Sequence, residues 1–206
     1  MTEIEGNDIE IKKFIFISEK MGYLILFHIL YGTYLSDDFL SISVYIFSMA
    51  TNRRKWFFTK ILKLIGLSTS YTFLLVGLLT AITLYQSEST IHFDFWKTVL
   101  FLFCIQNVIT ILTTLCLNLC AVKWNTLSSF LIIYACICFL IVAAIHSSMT
   151  NSLTIWNPFC YVEFGIQTGY RAYLMVTWNL CLCLFISIAG AKWINRIDIS
   201  LHDKEI

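Results

Sequence analysis

The sequence predicts an all-α fold, a polytopic membrane helix bundle with five or six transmembrane segments and a short cytoplasmic interfacial helix. Three observations carry this. Hydrophobic residues make up 58% of the 206, only 13% are charged, and mean hydropathy is +0.77, a composition outside the range of soluble domains. Stretches free of formal charge recur at 64–85, 98–122, 126–162 and 172–191, each long enough to cross a hydrocarbon core of roughly 30 Å. The charges gather between these stretches, and Trp56, Trp96, Trp124, Trp156 and Trp193 fall at or near their ends, where amphipathic rings settle at the interface.

Residues 1–10 are polar and acidic, without the basic start of a cleavable signal, and read as a short exposed tail. The first span, 14–35, is interrupted by Glu19 and Lys20, so its uninterrupted part starts at Met21. A segment over 36–60 then alternates charge and apolar residues. Its apolar run, 39–50, would make about 18 Å of helix, too short to cross, and reads as an interfacial or partner-contacting helix. Arg53, Arg54, Lys55, Lys60 and Lys63 hold five of the fourteen basic residues. Burying the first three at mid-bilayer would cost on the order of 8 to 10 kcal/mol, which places them at a membrane surface. Spans follow at 61–85, 98–122, 126–146 and 172–194. An outer loop over 147–171 holds the only proline, Pro158, with Glu163 and Arg171, and its apolar content lays it on or into the outer face. The chain reads as one transmembrane domain over 1–206.

Two topologies compete. With the amino terminus inside and 39–50 counted as a short second span, twelve Lys and Arg lie inside, and Lys97 and Arg171 lie outside. With five spans and the amino terminus outside, nine lie inside and five outside. Charge bias favours the first; helix length favours the second. Both put the basic cluster, Lys123 and the carboxyl terminus on the cytoplasmic side of a plasma membrane.

The order acidic pair (Asp37, Asp38), apolar run (Tyr45-Ile46-Phe47), basic cluster with a tryptophan (Arg53-Arg54-Lys55-Trp56) and a Lys60 opening the next span resembles the coupling segment of type-2 ABC exporter permeases. The likeness covers about 25 residues. It implies a membrane subunit that acts as a homo- or heterodimer with a separate ABC ATPase subunit, touched by Arg53, Arg54, Lys55, Trp56 and Lys60. Small bacterial members of that family export peptide-like or amphipathic cargo. Members usually carry a further complete span and an external segment ahead of the span that enters the coupling region, for which this sequence has little room, hence the count of five or six. The reading opposed to it is a non-transporting membrane protein, an immunity or assembly factor whose basic segment binds anionic headgroups.

On 98–122, Gln106, Asn107, Thr110, Thr113, Thr114 and Asn118 fall within an arc of about 140° at 100° per residue. Polar groups in hydrocarbon need partners, so this face looks into the bundle, as interhelical hydrogen-bonding glue or as a wall of a substrate path; glue is the favoured reading. Gly66, Ser70, Gly77 and Ala81 make small-xxx-small pairs, expected to pack within the chain, with a dimer seam as the alternative. His28 has no acid at helical spacing and reads as a packed or hydrogen-bonded histidine. Seven of the eight cysteines lie in predicted spans, and the Cys136/Cys138 and Cys181/Cys183 pairs point to different helix faces, so no metal is expected. No phosphate-binding G-x-x-x-x-G-K-[ST], no H-E-x-x-H and no serine, histidine and acid set at one depth occurs. The chain therefore reads as a non-enzyme without cofactor. Its basic residues line membrane edges rather than a stripe suited to nucleic acid, and its lasting partner is the lipid bilayer.

Overall fold

A computed structural model describes residues 21–39, 53–86, 93–146, 157, 159 and 170–196. All regular structure among the described residues is helical. Helix α1 covers 21–31 and α2 covers 34–39, with a two-residue turn between them. Then come α3 (Arg53–Gln86), α4 (Phe93–Lys123), α5 (Thr126–His146) and α6 (Tyr170–Ile194). Helices α3 to α6 each contain a window long and apolar enough to cross a membrane. The protein is a multi-pass membrane helix bundle.

Helix α4 is the central element. Half of its apolar window is buried, against 17% for α3, and both hydrophobic clusters are built on it. One joins Tyr23 and Leu24 to Ile105, Ile109, Ile137, Ile141, Phe159 and Met175. The other joins Leu35 and Phe39 to Phe57, Ile61, Leu64, Leu115, Val122, Ala191 and Ile194. Large apolar residues on the outer surface, among them Leu62, Leu74, Leu131 and Phe185, fit a chain whose solvent is hydrocarbon.

Local chemistry sets the joints. Asn125 caps α5: its side-chain oxygen accepts the Ser128 amide at 2.7 Å and its carbonyl accepts the Ser129 amide at 3.1 Å. Only Trp124 and Asn125 separate α4 from α5, so the two helices pack antiparallel. At the other end, Asn157 donates to the Leu140 carbonyl at 2.6 Å and accepts the Phe159 amide, and Phe159 is buried in the first cluster. Gly190 lets α6 close on its neighbours, because a Cβ there would stand 3.0 Å from both Leu119 Cδ2 and Phe57 Cζ.

Two expectations change. The helix that carries the span expected over 61–85 begins at Arg53 instead of near Lys60, so the basic cluster is the first turn of one unbroken 34-residue helix. The small residues of α3 do not pack within the chain. Gly66, Ser70, Gly77 and Ala81 are exposed, and a Cβ on Gly66 or Gly77 would meet nothing within 4 Å. The face α3 buries is instead Phe57, Ile61, Leu64, Ser68, Thr72 and Val76, spaced three and four apart. The apolar run 39–50 falls almost wholly outside the described residues, as does most of the loop 147–171.

Candidate functional site

Two regions hold the residues singled out in the sequence: the polar face of α4 and the basic end of α3. Gln106, Thr110, Thr113, Thr114 and Asn118 are buried, and Asn107 is half-buried. Their partners outside α4 come from three helices, α1, α2 and α3, with α5 joined through His28, and form three levels along α4.

At the first level, Tyr23 of α1 meets Thr72 of α3 at 3.1 Å and also Thr110. Thr110 gives its proton to the Gln106 carbonyl at 2.8 Å, and the Tyr23 hydroxyl points at that same carbonyl, 3.3 Å away, so the three hydroxyls gather around one acceptor of α4. Beside it, Ser68 donates to Asn107 Oδ1 at 2.7 Å, and Asn107 Nδ2 donates to Thr69 at 3.0 Å.

His28 occupies the second level. Its Nε2 lies 3.1 Å from Thr114 Oγ1 and 3.2 Å from Thr113 Oγ1. Both threonines already donate to α4 carbonyls, Thr114 to Thr110 at 2.6 Å and Thr113 to Ile109 at 2.9 Å. Each hydroxyl carries one proton, so the imidazole must donate from Nε2. Nδ1, 2.8 Å from the Tyr134 hydroxyl of α5, then accepts. Three helices are thus joined through one buried ring.

At the third level, Asn118 Oδ1 accepts the backbone amides of Leu35 and Ser36 at 2.9 and 3.0 Å, while Nδ2 donates to the Thr114 carbonyl at 2.8 Å. Those amides open α2 and lack carbonyl partners one turn back, so a side chain from another helix caps them. The contacts pair Tyr23 with residues near 106–110, His28 with 113–114 and Leu35 with 118. Helix α1 therefore runs parallel to α4. Helix α3 runs antiparallel, with Phe57 beside Gly190 and Ser68 beside Asn107. Among the described residues the unpartnered buried side-chain oxygens are Gln106 Oε1 and Asn179 Oδ1. The sequence did not point to Tyr23, Thr72 or Tyr134 as partners.

The basic end is built differently. Arg54 and Lys55 are exposed, and Arg53, Trp56 and Lys60 are half-buried. The Lys60 ammonium reaches Asp38 of α2 and lies 5.1 Å from the centre of the Tyr34 ring. The Trp56 ring stands 6.1 Å from Phe39. Residues 39 and 56 are consequently at the same end of the bundle. Lys123, Lys192 and Arg196 share that end, since Phe57, Val122 and Ile194 form one cluster. Lys97 and Arg171 lie toward the starts of α4 and α6 at the other end. Three cations at the amino terminus of α3, with no acidic residue in its first turn, oppose the helix dipole, by about 0.3 to 1 kcal/mol each.

Comparison with protein families, with curated proteins and with solved structures finds no match to this chain.

Proposed function

We propose that the protein is the membrane subunit of an ABC exporter, with the basic end of α3 as its contact with a separate ATPase. The observation that carries this reading is the continuity of α3 from Arg53 to Gln86. At 1.5 Å per residue the helix is about 51 Å long, well beyond a hydrocarbon core of roughly 30 Å. Its first turns stand outside the core, and a force on Arg53, Arg54, Lys55 or Trp56 moves the span as one rigid body. Cations held against the helix dipole are not there to stabilise α3. They suit an acidic or anionic partner. The gathering of Arg53, Arg54, Lys55, Lys60, Lys63, Lys123, Lys192 and Arg196 toward one end supports a cytoplasmic location for that end by the charge rule. That gives a cytoplasmic carboxyl terminus at the plasma membrane and a crossing by 14–35 from outside to inside. The subunit works as a pair, with itself or with a second permease.

A second reading is favoured by one feature, the polar face of α4. Tyr23, His28, Tyr134, Ser68 and the α2 amides take up its hydrogen-bonding groups, as in a bundle built for rigidity. In that reading the protein transports nothing, and its basic end binds anionic headgroups at about 1 kcal/mol per Lys or Arg. Co-expression with P-loop ATPases encoded by neighbouring reading frames, followed by affinity capture, separates the two. The exporter reading expects an ATPase to co-purify and to be lost with Arg53→Glu plus Trp56→Ala, but not with Lys97→Glu at the opposite end. Capture indifferent to the first pair rules out the assigned contact; binding only to anionic vesicles supports the second reading.

A further inference from the structure

The turn between α1 and α2 is a break in an otherwise continuous helical path. The Gly32 amide makes the last bond of α1, to the His28 carbonyl at 2.8 Å, and the Asp37 amide makes a bond of α2, to the Thr33 carbonyl at 2.8 Å. Between these, Leu35 and Ser36 give their amides to Asn118 instead of to Tyr31 and Gly32, four residues back. Ser36, Leu35 and Asn118 are all fully buried, so water does not supply the bonds. The same two amides thus have two possible sets of acceptors: the Asn118 side chain, or the chain's own carbonyls in a straight helix.

Gly32 sits at the pivot for a stated reason. A Cβ added to it in this conformation would collide with the His28 carbonyl oxygen, a clash that a regular helix does not contain. Alanine, excluded from the bent form, would be the better helix former in the straight one. On the far side of the pivot, α2 carries Asp38, which holds Lys60 of the α3 base.

We propose that residues 34–39 are a hinged arm with two seats, a bent one latched by Asn118 and a straight one continuous with α1, and that the Asp38–Lys60 contact links the arm to the base of α3. Motion of that base then changes which acceptors the Leu35 and Ser36 amides use, and so reaches Asn118 and the buried face of α4. Backbone groups freed by a break at membrane depth must be re-satisfied by neighbouring side chains or by the chain itself, and here both kinds of acceptor lie within reach of the same two amides. The hinge needs no ATPase: anything that moves the α3 base would work it.

The test is a distance measurement by pulsed electron resonance on the full chain in lipid nanodiscs. Native cysteines are replaced, and spin labels are placed at Asp37→Cys on the arm and Lys192→Cys on α6. The parent should give one dominant distance. Asn118→Leu removes the latch and Gly32→Ala disfavours the bend by a separate route; both should move the distance to the same new value. Asp38→Asn, which leaves the buried face untouched, should raise the share of that new distance about two- to fivefold, the range for losing one half-exposed ion pair. The exchange Asp38→Lys with Lys60→Asp should restore the parent distribution. Unchanged distances in both Asn118→Leu and Gly32→Ala, two unrelated new distances, or an Asp38→Asn distribution identical to the parent would each overturn the hinge. If Asn118→Leu does not yield folded protein by gel filtration, Gly32→Ala and the two Asp38 variants still decide it.

Discussion

Replacing His28 by leucine removes the ring that joins α1, α4 and α5, yet the structure predicts a modest loss. Three contacts disappear, to Thr113, Thr114 and Tyr134. The two threonines keep their own donations to the Ile109 and Thr110 carbonyls, so neither becomes an unpaired donor. Only the Tyr134 hydroxyl loses the acceptor it faces, and leucine refills most of the volume. Interhelical hydrogen bonds in membranes contribute about 0.6 kcal/mol on average and at most about 1.7. The expected loss is therefore about 1 to 2 kcal/mol. Tyr134→Phe should cost a similar amount, and the double variant should show a coupling of about 0.6 to 1.7 kcal/mol, the worth of the shared bond. Equilibrium unfolding in mixed micelles or steric trapping in bicelles measures all three. A His28→Leu loss above about 4 kcal/mol, or zero coupling with Tyr134→Phe, would refute the assignment of donors and acceptors around the ring.

Three further outcomes follow from packing and exposure. Gly190→Leu should destabilise the bundle by about 1 to 3 kcal/mol, since Leu119 and Phe57 already stand 3.0 Å from a Cβ at that position. Gly77→Leu, on the open face of α3, should leave the stability of the single chain within about 0.5 kcal/mol of the parent; a large loss, read by the same unfolding assay, would mean that this face is covered. Lys60→Gln should lower stability by no more than about 1 kcal/mol, because its contact with Asp38 is part-exposed. A greater loss on thermal denaturation would show that the contact is worth more than a surface pair.

The composition and the charge-free runs were enough to read the bundle, because hydrocarbon allows few alternatives to helices. The polar face of α4 was also legible, since Gln106 to Asn118 repeat at helical period. Its partners were not. Tyr23 and Tyr134 stand in apolar helices where a tyrosine equally suits an interface, and only the packing of α1 against both α4 and α5 brings their hydroxyls to Thr110 and His28. Asn118 could be placed on the polar face, but its task as a cap depends on the break after Tyr31, inside a stretch that reads as one span. Three cations in a row look like the end of a surface segment, which hides the true start of α3: the helix begins with them. Gly66, Ser70, Gly77 and Ala81 show that small spacing marks a face able to pack closely, without saying whether a neighbour is there.

The exporter reading requires the basic end of α3 to face the cytoplasm, where a partner can push on it. Sided thiol labelling of Arg54→Cys in whole cells, resolved at the level of the single peptide, tests it most directly. Protection from an impermeant reagent in intact cells, with labelling only after permeabilisation, is the predicted result. Labelling of residue 54 from outside intact cells would contradict it.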